Sequence, residues 1–306
     1  LTEFDDTAAD VTAVDTGVEM ATLLEDMKTL VGDNIKGFEV RYKNESWSSK
    51  VLGLLARPFC PEYMTRFTTT RYPKVYFPSE EFVQDQRQPL KASKILAHEY
   101  VHLWDTKEEG IRHNLGYASP QLWAAGFFLL FLVGAILWRP GIWWLAPMLL
   151  GVFCVPYALL AVTNKKAGKI LWIVTGILGL LAFFTLAIWK AQWWSLLLLG
   201  AIMCAVPLPS YWRMIAEIRG YSMSMAFNFW RYGSVRQHTK DWIVTCFTGP
   251  NYYFMWPWKA AMKRRVEDMV NRLELGTVFD APVFGGSCKP FEHVYNLLNQ
   301  HGLVKR

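Results

Sequence analysis

The chemistry this sequence can offer centres on two histidines four residues apart with a glutamate beside the first, in His98-Glu99-Tyr100-Val101-His102. On a helix, positions i and i+4 share one face about a turn apart, so both imidazoles would converge on one point, as two ligands of a tetrahedral zinc must. Glu99 projects from the adjacent edge of that face and is the candidate general base. Zinc would bring the pKa of a bound water near ~7, so a carboxylate could take its proton at neutral pH and the hydroxide attack a peptide carbonyl.

Two histidines leave such a site incomplete, because a catalytic zinc takes three protein ligands and keeps a fourth position open. Asp105, Glu108, His113 and Glu217 are the candidates. A metzincin-type pattern wants Gly at position 105 and a ligand at 108, but Asp105 stands in the glycine's place and His113 is spaced wrongly. Asp105 shares the helical face of His98 and His102, which suits a group that orients an imidazole. Glu217 lies far downstream, within Arg213-Met214-Ile215-Ala216-Glu217-Ile218-Arg219-Gly220-Tyr221.

The segments around the motif must bring Glu217 to it. Hydrophobic residues make up 52% of the 306, and mean hydropathy is positive at +0.13, so membrane segments are the first thing to seek. Between Gln121 and Pro209 there is no acidic residue, and apolar runs at 122–138, 142–162, 170–189 and 193–208 read as four spans of about 20 residues each. Trp138, Trp143, Trp144, Trp189, Trp193 and Trp194 cluster at the first and third connections, as an aromatic belt would. The second connection carries Lys165, Lys166 and Lys169, which places it and both flanks in the cytoplasm by the positive-inside rule. An even number of crossings returns the chain to its starting side, and Glu217 becomes the best third ligand beside His98 and His102.

The motif helix, the intervening apolar block and the Glu217 helix together resemble the membrane-anchored gluzincins of the HtpX and CAAX-prenyl-protease type. In that family an acidic residue follows the third ligand by four positions, where this chain has Tyr221. The resemblance implies a zinc peptidase that binds Zn2+ through His98, His102 and Glu217 and uses Glu99 as its base.

Elsewhere, residues 18–31 read as an amphipathic helix and 38–42 as a strand. Residues 66–70 and 74–77 are further extended pieces, and Pro89 suits the first turn of the motif helix. Helices are predicted over 211–232, 259–275 and 291–300, with loops at Gly249-Pro250-Asn251 and Gly285-Gly286-Ser287. The first 27 residues carry eight acidic side chains and no Lys or Arg, which does not suit a signal peptide and suggests a cytoplasmic amino terminus. Cys60, Cys154, Cys204, Cys246 and Cys288 are widely spaced and read as reduced thiols. His238 and His293 read as structural or exposed, the aromatic run 251–258 as interfacial, and Lys263-Arg264-Arg265 as facing phosphates or water.

The expected fold is therefore α+β, a zincin-like soluble lobe combined with a four-helix transmembrane block. Residues 1–120 would carry the motif helix, 121–209 the block, and 210–306 the helical part that completes the zinc site. The expected function is that of a multi-pass integral membrane endopeptidase dependent on Zn2+, with termini and active site cytoplasmic. Its partners would be a protein or peptide substrate and the lipid bilayer, and no nucleic acid. The rivals are a non-enzymatic membrane scaffold or virion assembly component with a vestigial motif, and a channel or transporter. The last is disfavoured because no Asp, Glu or His falls in the four runs.

Overall fold

A computed structural model describes residues 17–56, 62–85, 90–119, 209–249 and 255–305. The elements are α1 (Gly17–Asn34), β1 (Glu39–Tyr42), α2 (Trp47–Ala56), β2 (Thr69–Arg71), β3 (Lys74–Phe77), α3 (Glu80–Val83), α4 (Lys91–Glu109), α5 (Ile111–Ala118), α6 (Tyr211–Tyr232), α7 (Gln237–Thr248), α8 (Lys259–Glu274) and α9 (Lys289–Gln300), with a 3-10 turn at Thr277–Phe279. By contacts the chain divides into a unit of 1–52, 62–117 and 209–306 and a second of 53–61 and 118–208. The second falls almost wholly outside the described residues.

In the first unit, α1 turns Leu23, Met27 and Val31 inward at four-residue spacing, and all three are fully buried. The sheet has the order β1-β3-β2, with β1 parallel and β2 antiparallel to β3. Val75 and Phe77 of the central strand alternate into the core, while Lys74 pairs with Glu39 of β1 at 3.0 Å. The motif helix α4 packs against α1, α6 and α9, and its contact with α6 is the most extensive in the unit. Leu96, Ala97, Tyr100, Val101 and Leu103 of α4 meet Met214, Ile218, Met223 and Met225 of α6 in one core.

A buried ion pair sets the register of α4 on α6. Arg219 donates through Nε to Asp105 Oδ2 at 2.8 Å and through Nη2 to Oδ1 at 2.6 Å, a two-pronged contact between side chains almost wholly removed from water. The same guanidinium donates to the carbonyl oxygens of Val283 and Ser287, binding the loop before α9 to the helix pair. A Cβ at Gly286 would overlap the guanidinium, so only glycine lets this loop close over Arg219.

The expected transmembrane architecture is corrected. Instead of an α+β lobe on a four-helix membrane block, the described residues form a mainly helical domain with one three-stranded sheet. No described helix is long and apolar enough to cross a membrane. The longest, α6, spans 22 residues but carries Arg213, Glu217, Arg219 and Arg231, and it buries Glu217 and Arg219 against protein. The expected multi-pass integral membrane location is corrected to the same extent, since none of the described helices could serve as a span. The four apolar runs between 122 and 208 lie outside the described residues, as does Pro89.

Because Asp105 and Arg219 are buried together, breaking the pair is more harmful than replacing it. Arg219→Met, which strands a buried carboxylate, is expected to lower unfolding stability by about 3–5 kcal/mol in urea titrations, and Asp105→Leu with Arg219→Met by distinctly less.

Candidate metal centre

His98 and His102 lie on the face of α4 that meets α6, and their Nε2 atoms are 3.2 Å apart. Two nitrogens bound at ~2.0–2.1 Å around a tetrahedral zinc would be separated by about 3.3 Å, so the spacing suits a shared ion. Glu217 stands opposite on α6, and ligand atoms from His98, His102 and Glu217 all lie within 4.8 Å of one another. Among the described residues, this is the group of three His, Cys, Asp or Glu side chains able to hold a metal ion.

The imidazoles are held in the form a metal needs. Burial, with His102 alongside, pushes His98 down to about 3, and burial pushes His102 down to about 4, so both rings are neutral at pH 7. Nδ1 of His98 lies 3.3 Å from Ser224 Oγ, which in turn donates to the carbonyl oxygen of Gly220 at 3.5 Å. With the serine's proton directed to that carbonyl, Nδ1–H of His98 donates to Oγ, and the lone pair is left on Nε2 toward the centre. His98 can lie this close to α6 because residue 220 is glycine: a Cβ there would come 2.5 Å from Nε2. Tyr221 meets the His98 ring edge to face at 5.0 Å. Nδ1 of His102 is buried without a hydrogen-bond partner among the described residues.

Glu99 points from α4 toward the sheet. Its Oε2 accepts from Thr70 Oγ1 of β2 at 2.5 Å. Burial, offset by that hydrogen bond and reinforced by Glu217, pushes its carboxyl up to about 7. Lys43 anchors the segment entering β2: its buried ammonium donates to the carbonyl oxygens of Tyr63 at 2.9 Å and Phe67 at 2.7 Å and lies 3.7 Å over the Tyr63 ring. On the other side, Gly110, with φ of 61°, ends α4 and lets the chain turn into α5. From α5, the Tyr117 hydroxyl donates to Glu217 Oε1.

The structure thus brings together His98, His102 and Glu217, holds Glu99 next to His98 on α4 with its carboxylate bonded to Thr70, and sets the other candidates aside. Asp105 does not orient an imidazole; its oxygens are taken by Arg219. Glu108 accepts from Trp104 Nε1 at 2.7 Å, and His113 faces Glu109 at 3.6 Å. His238 is exposed, and His293 bonds the Tyr100 hydroxyl behind the motif at 2.8 Å. Cys288 is a free thiol, and Cys246 and Met255 are buried in the core. Thr70, Tyr117, Gly220 and Ser224 carry no local sequence signal that would assign them to the site, since each reaches it only through tertiary packing.

The class defined by this fold and site is a mainly helical domain with a two-histidine, one-glutamate group that could hold a metal ion. Comparison with protein-family models, with curated proteins and with solved structures finds no match to the chain.

The donor set fits a divalent cation. Two neutral imidazoles bring no charge and the Glu217 carboxyl beside them is buried, so a cation there offsets what burial makes costly. The lowered imidazole pKa values also give a pH signature. An ordinary histidine begins to lose its metal-ready form below about pH 6.5, but these rings stay neutral until the pH nears their lowered values. Zinc affinity measured by chelator competition is therefore expected to lose little to imidazole protonation between pH 8 and about pH 5, rather than falling about tenfold per unit per ligand below 6.5.

Proposed function

We propose that this chain is a zinc-dependent endopeptidase. The observation that carries the reading is the convergence of a half-buried His98 with the buried His102 and Glu217, with buried Glu99 next to His98 on α4. This is a gluzincin-type ligand set. Three protein donors leave a position open, as catalytic zinc sites do. A zinc ion held there supplies Lewis-acid chemistry, acidifying water and polarising a carbonyl.

The chain's own residues supply the proton transfers. Glu99, pushed up to about 7, can take a proton from water at neutral pH and return it to the amine that leaves when the peptide C–N bond breaks. Thr70 holds one carboxylate oxygen of Glu99, which fixes its aim and leaves the other oxygen for the proton. The choice of a peptide substrate rests on β2. Among the described residues this strand pairs only with β3, and it runs past Glu99, so its outer edge offers backbone groups to an extended chain.

Removing the base should separate binding from chemistry. Glu99→Gln is expected to retain zinc at one equivalent while casein hydrolysis falls about 10²- to 10⁴-fold, and Glu217→Ala to lose the metal. Cleavage by Glu99→Gln at the unaltered rate would show that another group is the base.

A further inference from the structure

The Tyr117 phenol takes no part in the proton transfers just described, yet it touches the proposed third ligand. Its hydroxyl donates to Glu217 Oε1, from a helix that carries no ligand. Its ring meets the His102 ring at a steep angle, with centroids 6.2 Å apart, and stacks on His113 at 6.4 Å. Arg213, one turn before Glu217 on α6, lies 5.4 Å over the same ring. The backbone at Gly116 packs so closely on Trp212 that a Cβ there would come 3.2 Å from the Trp212 Cβ. The phenol is therefore clamped between the two ligand-bearing helices, and burial keeps it protonated, as a donor, far into alkaline conditions.

A buried carboxylate with both oxygens free can hold an ion through one or both of them. The difference changes the coordination number and the room left for water and substrate. We propose that Tyr117 is a positioning residue for the metal centre: its hydroxyl occupies Oε1 of Glu217, so that the carboxylate serves the ion through its other oxygen and the open position is preserved. This rests on the metal-centre reading. It adds a residue from α5, outside the motif and outside the Glu217 helix, to the machinery that shapes the site.

Tyr117→Phe removes one oxygen and keeps the ring's packing on His102 and His113, so the fold has no reason to change. It should weaken zinc binding about 10- to 100-fold, the usual effect of deleting a group that orients a ligand. In a Glu217→Gln background the same substitution should have no further effect, because Tyr117 acts through that carboxylate. With Co2+ in place of zinc, the visible bands of the Tyr117→Phe protein should weaken toward those of a five-coordinate ion as Glu217 swings to two-oxygen ligation. Unchanged affinity and spectrum, or an equal loss in both backgrounds, would overturn the positioning role while leaving the metal centre standing. If the unaltered protein binds neither zinc nor Co2+, the metal-centre reading itself fails and Tyr117 loses this role with it.

Discussion

The site depends first on how α4 lies along α6, and the Asp105–Arg219 pair holds that register. Asp105 follows His102 by three residues and Arg219 follows Glu217 by two, so anchoring one pair sets the other opposite. A helix slipped by one turn moves about 5.4 Å along its axis, more than the 4.8 Å within which the candidate ligand atoms lie. Buried ion pairs are a weak source of net stability but a strong constraint on arrangement, because any other register strands a charge. Here the guanidinium also gathers the loop before α9, so three segments far apart in sequence answer to one side chain.

Within that register, burial does the chemical tuning. The same removal of water lowers both imidazoles and raises Glu99, which leaves neutral nitrogen donors beside a carboxyl whose pKa suits proton exchange near neutrality. Each group is then aimed by a neighbour from another element: His98 by Ser224 of α6, Glu99 by Thr70 of β2, Glu217 by Tyr117 of α5. Small residues make the close approach possible, and Gly220 is the clearest case, since any side chain there would meet the His98 ring.

The local parts of this arrangement are legible in the sequence. The i, i+4 histidines define the face of α4 that meets α6, the helix read over 211–232 matches α6 at Tyr211–Tyr232, and β-branched and aromatic residues between Pro73 and Pro78 mark β3. Glu217 is reached in the sequence through a count of membrane crossings, whereas in the structure it meets the histidines through direct packing of α6 on α4. The partners 114 residues apart in the ion pair, and the threonine and tyrosine that touch the two glutamates, leave no periodic or motif trace. Asp105 looks in sequence like a group for an imidazole because its face is right; only the fold shows that Arg219 claims it.

X-ray absorption at the zinc edge of the purified protein tests the central claim most directly. Two imidazole nitrogens and oxygen donors at about 2.0–2.1 Å are expected, with the oxygen contribution diminished in Glu217→Ala. A sulfur shell at about 2.3 Å, or a protein that retains no zinc, would contradict the assignment of His98, His102 and Glu217 as a metal centre.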